Sequence, residues 1–171
     1  MVDVIKKLRE RTSLGMKECK KALDEANGDF EKALDICKKK GIEVVKGKGD
    51  RKTSQGLVDS YVHFGGNLGA LVEVNCETDF VARTDVFKKF AKEIAMQVAA
   101  TNPTHVKRED ISPEELAKIG NVDEYAKEHC LLEQAFIKDN ALTVGDYLKQ
   151  VVSQTGENVV VRRFSRFSLE G

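Results

Sequence analysis

A short charged segment, residues 77–83 (ETDFVAR), contains the side chains best suited to act on another molecule. It places the aromatic Phe80 and the apolar Val81 in a polar connection between a predicted strand and a predicted helix. From the residues alone, Phe80 is expected to fold back onto the sheet and complete the core. The alternative is a rigid apolar wedge that enters a partner, since an aromatic anchor on a loop is a common binding hot spot.

No arrangement typical of an enzyme stands out in the sequence. The glycine-rich run at residues 65–69 joins two predicted strands and lacks the lysine of a phosphate-binding loop, which joins a strand to a helix. Acidic pairs such as Asp24-Glu25 and Glu114-Glu115 fall on the predicted solvent side of helices rather than in a cleft. The sequence therefore argues against catalysis by this chain alone, and a hydrolase or transferase ranks below a binding protein.

The cysteines and histidines match no metal-binding or redox framework. There is no C-x-x-C pair, and the three histidines lie far apart in the chain. We therefore expect no metal site, no cofactor and no disulfide. The four thiols are predicted to be mostly buried: Cys19, Cys37, Cys76 and Cys130.

The composition indicates a helix-rich globular protein with no general affinity for polyanions. Of the 171 residues, 41% are apolar and 33% are charged, and Lys+Arg and Asp+Glu are equal at 28 each. A nucleic-acid-binding protein usually carries an excess of positive charge, so direct nucleic-acid binding is not expected. There is no apolar run of about 18 residues and no apolar signal-peptide block, which predicts a cytoplasmic protein without membrane contact.

One local pattern leaves an alternative open. Residues 161–167 (VRRFSRF) interleave arginines with aromatic residues, as in strands on which RNA bases stack. An edge strand whose cationic side chains discourage aggregation explains the same pattern. The main rival interpretation is therefore an RNA-associated or other adaptor protein that uses this strand and the basic linker described next.

The first 40 residues are expected to form three short helices. Apolar side chains recur at helical spacing, and Asn27-Gly28 separates the second helix from the third. A bundle of this size has a marginal core, so residues 1–40 are predicted to be an appended recognition module. Residues 41–55 are predicted to be a flexible basic linker, because lysines dominate and glycines interrupt any helix from Gly41 onward. This linker either attracts an acidic partner or serves as a solvated tether.

Residues 56–171 are predicted to form an α+β domain with an antiparallel sheet and helices on one face. Two strands flank the turn at residues 65–67, and another strand closes the chain at residues 158–167. Thr84 is placed to cap a strong amphipathic helix. The segment at 77–83 would thus be held between a strand and a helix.

Several motifs follow one another in an order that resembles the elongation factor Ts family. Residues 8–12 (LRERT), 19–23 (CKKAL) and 25–29 (EANGD) resemble the N-terminal module of that family, a three-helix UBA-like fold. Residues 71–83 (LVEVNCETDFVAR) resemble the family's signature stretch, and residues 156–164 (GENVVVRRF) resemble its C-terminal strand. The resemblance spans nearly the whole chain.

The resemblance implies a non-catalytic exchange factor that speeds the release of GDP from the GTPase elongation factor Tu. In this family the Asp-Phe pair, here Asp79 and Phe80, enters the GTPase domain near its Mg²⁺ and phosphate site. Phe80 would separate a pair of packed elements there and loosen the Mg²⁺ coordination that anchors the nucleotide. Thr78 and Val81 would support the pair.

Further contacts and an assembly are also implied by the resemblance. The N-terminal module is expected to bind a second face of the GTPase domain through Arg9 and Met16, although Lys17 stands where many relatives have a second methionine. A family member with a single core is expected to pair as a homodimer, through the core sheet. The segment between Glu115 and Leu131 is shorter than in short relatives, which carry an extra helical stretch there.

Overall fold

A computed structural model describes residues 2–12, 14–46 and 48–169, and over these residues the predicted α+β class is confirmed. Helices come first, followed by an antiparallel sheet with further helices. The helices are α1 (Val2–Thr12), α2 (Met16–Glu25), α3 (Phe30–Lys46), α4 (Asp79–Ala82), α5 (Asp85–Thr101), α6 (Pro113–Leu116), α7 (Val122–His129) and α8 (Val144–Thr155). The strands are β1 (Gln55–Val62), β2 (Leu68–Cys76), β3 (Ala135–Phe136), β4 (Asp139–Thr143) and β5 (Val159–Ser168), and 3₁₀ turns lie at Arg108–Asp110 and Leu131–Glu133.

The N-terminal helices α1, α2 and α3 pack around a small core of their own. Asn27 and Gly28 have positive φ angles of 52° and 84°, which end α2 and turn the chain. Asp29 then accepts a hydrogen bond from the Lys32 amide (3.1 Å) and caps α3, as predicted. The buried side chains of this core are Ile5, Leu8, Leu14, Cys19, Ala22, Leu23, Ala26, Ala33, Leu34 and Cys37.

The prediction that the third helix stops near Gly41 is wrong, because α3 continues to Lys46. One glycine inside a helix costs only about 1 kcal/mol relative to alanine, and each residue added to an established helix gains another backbone hydrogen bond. The connection to β1 is therefore shorter than the predicted linker at residues 41–55. It also contacts the core, since the Arg51 carbonyl accepts a hydrogen bond from Asn158 Nδ2 (3.0 Å). The domain boundaries after residues 40 and 55 stay a prediction.

The main sheet has the strand order β1-β2-β5, and both pairings are antiparallel. Ala70, Val72, Val74 and Cys76 of the central strand β2 are buried on the face covered by helices. We call the opposite side the open face. Its side chains include Val58, Ser60 and Val62 of β1, Leu71, Glu73 and Asn75 of β2, and Val160, Arg163, Ser165 and Phe167 of β5.

The helices α5 and α8 cover the inner face of this sheet. Phe87 and Phe90 of α5 are fully buried there. The ring of Tyr147, from α8, lies 5.2 Å from that of Phe90 and 4.7 Å from that of Phe136. The Tyr147 hydroxyl donates to the buried Glu93 carboxylate. Burial, reinforced by this carboxylate, raises the pKa of Tyr147 well above its usual range.

The helix predicted over residues 122–133 ends early, at His129. Cys130 adopts an extended conformation (φ −97°, ψ 113°) and pairs with His105 in an isolated parallel bridge. The amide of Leu131 then donates to the His105 carbonyl (2.9 Å). Backbone pairing with the segment that follows α5 thus interrupts the predicted helix at Cys130, and Leu131–Glu133 form a 3₁₀ turn.

Gly56→Ala is expected to lower the free energy of unfolding by about 2 kcal/mol or more. A Cβ atom at Gly56, whose φ is 149°, would overlap the carbonyl oxygen of Val74 in the neighbouring strand. Gly120→Ala is the matched control, since a Cβ atom there meets nothing within 4 Å. Urea denaturation followed by circular dichroism measures both variants, and equal losses would contradict the assigned close approach of β1 and β2.

Candidate functional site

The connection between β2 and α5 is built around a short helix rather than the predicted loop. Thr78 precedes α4 as its N-cap, with an extended backbone (φ −126°, ψ 156°). Its hydroxyl oxygen accepts a hydrogen bond from the amide of Val81 (3.4 Å). A threonine in this position satisfies an amide that the first helical turn leaves without a partner, which is why the segment coils. In the sequence, a threonine at position 78 is the feature that could have predicted this helical turn.

Phe80 is directed to solvent. It is 78% exposed, whereas its neighbours Val81 and Ala82 are only 9% and 8% exposed. Consecutive residues of an α-helix are rotated by about 100°, so burial of Val81 and Ala82 turns Phe80 away from the core. The expectation that Phe80 folds back onto the sheet is therefore wrong. A large exposed ring on a fastened turn is typical of a contact surface.

Charged residues flank the exposed ring. Asp79 and Arg83 form an ion pair of 2.9 Å across one helical turn, and their side chains are 48% and 77% exposed. An exposed pair of this kind contributes less than about 1 kcal/mol to folding. The Asp79 carboxylate can therefore change partners at little cost to stability.

Both ends of this segment are fastened to the core. At its start, the Cys76 thiol donates to the Thr78 carbonyl (3.1 Å). Burial raises the pKa of Cys76 to about 11, and the charge of Glu157 adds to the rise, so the thiol keeps its proton near neutral pH. At the far end, Thr84 caps α5 as predicted, and its hydroxyl donates to the Val81 carbonyl (2.7 Å).

Two residues that the sequence analysis did not single out also hold this segment. The Glu157 carboxylate accepts hydrogen bonds from the amide (3.0 Å) and the hydroxyl (2.6 Å) of Thr78. The amide of Asn158 donates to the Glu77 carboxylate (2.7 Å). Their only signal in the sequence was membership of the motif at residues 156–164, which assigns neither of them a role.

Arg9 and Met16 lie on the N-terminal bundle, remote in sequence from α4. Arg9 is exposed on α1, and Met16, the first residue of α2, is 40% exposed. Arg9 borders a cleft of about 660 Å³ whose lining also includes Val86 and Ser153. Because Val86 belongs to the first turn of α5, this cleft connects the bundle with the element that follows α4.

The four cysteines are all buried, in agreement with the prediction. Cys19 and Cys37 belong to the bundle core, Cys76 to the main core and Cys130 to a small third cluster. Over the residues that the structure describes, no group of three or more His, Cys, Asp and Glu side chains is arranged to hold a metal ion. Within the same residues, no helix has the length and apolar character needed to cross a membrane.

A family model and several curated relatives match nearly the whole chain. The model described as Elongation factor TS matches residues 17–122 and 115–171. The Elongation factor Ts of Thermoanaerobacter sp. (strain X514) is 48% identical over 186 residues, which covers 95% of this chain and 91% of that protein. This chain belongs to the elongation factor Ts family. The Elongation factor Ts of Thermotoga maritima is 43% identical, with coverage of 98% of this chain and 95% of that protein.

Membership makes the chain a translation elongation factor, and the comparisons also show that one relative carries residues that this chain lacks. The match to the Thermoanaerobacter Elongation factor Ts extends over 186 positions, more than the 171 residues of this chain, so that relative has residues that are missing here. The two stretches matched by the family model overlap at residues 115–122. The predicted shortening between Glu115 and Leu131 stays a prediction. In this part of the chain, α6 and α7 have 4 and 8 residues.

Phe80→Ala is expected to change the free energy of unfolding by no more than about 0.5 kcal/mol, because the ring is mostly exposed to solvent and its removal costs little packing. Phe87→Ala, three residues into α5, should cost about 3–5 kcal/mol because it empties a fully buried position. Chemical denaturation of both variants gives the comparison. A loss at Phe80 close to that at Phe87 would mean that Phe80 belongs to the core.

Proposed function

We propose that this member of the elongation factor Ts family is a cytoplasmic guanine nucleotide exchange factor, not an enzyme. It would bind elongation factor Tu and promote the release of GDP. The observation that carries the proposal is the exposed ring of Phe80 on a helical turn whose next two residues are buried. Core packing gives no reason for a phenylalanine at this position, whereas insertion into a partner does.

Asp79 and Phe80 are the exchange wedge of this proposal. Entry of Phe80 between packed elements near the Mg²⁺ and phosphate site of the GTPase would loosen the coordination that anchors GDP. The Asp79 carboxylate accompanies the ring and brings a negative charge toward the phosphates, which the GDP-bound state disfavours. Exchange is then a coupling free energy: the factor binds the GDP-free state more tightly, and GDP weakens binding of the factor by the same ratio.

The supports of the wedge explain how one side chain can act on a folded partner. A ring on a mobile loop would lose much of its binding free energy in becoming ordered. Here Thr78 caps the turn and Val81 fixes it in the core, while β2 and α5 hold the two ends. Most of the conformational entropy of this segment is therefore lost when the chain folds, before the partner binds.

The N-terminal bundle would supply a second contact through Arg9 and Met16. Both side chains have exposed surface, and the cleft beside Arg9 reaches the start of α5. Two contacts on one partner raise affinity because the second forms at a high effective concentration. The bundle would thus hold elongation factor Tu while the wedge enters it.

The rival interpretation, RNA binding by the last strand, gains no support from the contacts of β5. Phe164 packs against the main core, Arg163 pairs with Glu73 (2.6 Å), and Arg166 donates to the Ala99 carbonyl (2.9 Å). Phe164 and Arg166 are thereby poorly available for base stacking or for phosphate contacts. Arg163 and Phe167 stay exposed (79% and 68%), but the chain as a whole has no excess of positive charge. The proposal accordingly includes no direct binding of nucleic acid.

Addition of the protein to elongation factor Tu loaded with fluorescent GDP should accelerate nucleotide release. Phe80→Ala should lower the exchange efficiency roughly 30-fold, since truncation of an aromatic hot spot costs about 2 kcal/mol or more. Phe64→Ala is the matched control, because Phe64 is also an exposed phenylalanine (98%) but lies in the turn between β1 and β2. Stopped-flow fluorescence gives the rates. No acceleration by the unaltered chain at micromolar concentration would refute the proposed function.

We also propose that the open face joins two copies of this chain. Val58 and Val62 are both 66% exposed there, Phe167 is 68% exposed, and the ion pair between Glu73 and Arg163 lies among them. A two-fold contact requires a self-complementary surface. A face that combines apolar side chains with both signs of charge meets that requirement.

Val58→Asp is expected to shift the assembly from dimer to monomer, because it would bury an unpaired carboxylate at the contact. Val2→Asp serves as the control, since Val2 is 60% exposed but lies on α1 rather than on the sheet. Sedimentation velocity at micromolar protein distinguishes the states. A monomeric unaltered chain, or a dimer that tolerates Val58→Asp, would exclude this contact.

A further inference from the structure

The Glu157 carboxylate accepts two hydrogen bonds from Thr78, the N-cap residue of α4. Its Oε2 atom accepts from the Thr78 amide (3.0 Å), and its Oε1 atom accepts from the Thr78 hydroxyl (2.6 Å). Thr78 is 79 residues earlier in the chain, so this is a tertiary contact rather than a local turn. Bonds to an ionised acceptor are about twice as strong as those between neutral groups.

The next residue makes the reciprocal contact. The amide of Asn158 donates to the Glu77 carboxylate (2.7 Å), so each segment supplies one carboxylate to a main-chain amide of the other. The Asn158 side chain is buried, and its Nδ2 atom donates to the carbonyls of Gly49 (3.3 Å) and Arg51 (3.0 Å). Three chain segments therefore meet directly behind the wedge.

The Thr78 hydroxyl links the Glu157 carboxylate to the first turn of α4 through two hydrogen bonds. A hydroxyl has one hydrogen to donate and lone pairs that accept. Donation to Glu157 fixes the direction of that hydrogen and turns a lone pair toward the amide of Val81, which the oxygen accepts at 3.4 Å. The N-cap of α4 thus depends on a carboxylate from a distant segment of the chain.

From this geometry we infer that Glu157 is a positioning residue for the Asp79–Phe80 wedge, an inference that rests on the proposed exchange function. Four residues of helix have almost no stability of their own, since the first turn fixes several dihedral angles for a single hydrogen bond. Without the Glu157 carboxylate the start of α4 is released. Phe80 then samples several directions and must be ordered by the partner, which lowers the free energy available for exchange.

Glu157→Ala tests this role in the full chain. We expect about tenfold lower exchange efficiency on elongation factor Tu, the equivalent of one charge-assisted hydrogen bond. The deciding measurement is the double variant Glu157→Ala/Phe80→Ala. If Glu157 acts through the wedge, its removal causes no further loss once the ring is gone. Losses that multiply in the double variant would overturn the inference, as would normal exchange by Glu157→Ala.

A matched control separates positioning from stability. Glu133 also accepts two hydrogen bonds, from Arg108 Nε (2.9 Å) and Nη2 (2.7 Å), but it lies in a 3₁₀ turn between α7 and β3. Glu133→Ala should lower stability by a comparable amount and leave exchange unchanged. If Glu157→Ala fails to fold, Glu157→Gln is the second variant, because it keeps the side-chain volume and one acceptor. Glu157→Gln alone should lower exchange efficiency by less than Glu157→Ala. In the Phe80→Ala background, Glu157→Gln should cause no further loss.

Hydrogen exchange at the Val81 amide gives a readout that does not depend on the partner. In the folded chain this amide should be protected, and Glu157→Ala should remove that protection while amides of α5 retain theirs. If the unaltered chain does not accelerate GDP release from elongation factor Tu, the proposed function is wrong, even if the Val81 amide loses protection in Glu157→Ala. If the unaltered chain is active but Val81 stays protected in Glu157→Ala, only the positioning inference is wrong.

Discussion

The packing of α5 against the inner face of β2 is the interaction on which the candidate site depends. Phe87 and Phe90 belong with Val72 and Val74 to one buried cluster. Each large apolar side chain buried in this way contributes about 1.5–3 kcal/mol, so the contact supplies much of the stability of the larger core. Because β2 and α5 are fixed to each other, the few residues between them have little freedom. The turn α4 is a short bridge between two rigid elements.

Hydrogen bonds between Glu157, Thr78 and Val81 determine how α4 begins, which apolar packing alone does not. Burial of Val81 and Ala82 fixes which side of α4 faces the core, but it does not determine how the turn begins. The hydroxyl of Thr78 does so, because it is held between the Glu157 carboxylate and the Val81 amide. The start of α4 is therefore determined by the position of β5 beside β2, not by the residues of α4 alone.

Local patterns predicted the elements better than they predicted the site. The α+β class and the cap at Thr84 follow from hydrophobic period and capping chemistry, and the structure agrees. The exposure of Phe80 could not be obtained in this way, since a phenylalanine is more often buried than exposed and only its neighbours decide between the two. The family resemblance favoured the exposed wedge.

Long-range contacts account for two of the features that the sequence did not predict, and a local effect accounts for a third. The grip of Glu157 on Thr78 depends on the register of two strands, which no local pattern contains. The early end of α7 at His129 likewise follows from backbone pairing of Cys130 with His105, a residue in another segment. Gly41 does not end α3, because the free-energy cost of one glycine is small in a long helix.

The side chains that we propose for contact with the partner are those that contribute least to folding, and the proposed exchange function benefits from this separation. Phe80 is largely exposed, and the pair between Asp79 and Arg83 is weak, so the ring and the carboxylate can leave solvent without disturbing the core. Exchange requires differential rather than maximal affinity, because a factor that binds every state of the GTPase equally well shifts no equilibrium. In the proposed mechanism, one rigid aromatic side chain would act mainly on the GDP-free state. A larger apolar surface would add affinity for all states and slow the release of the factor.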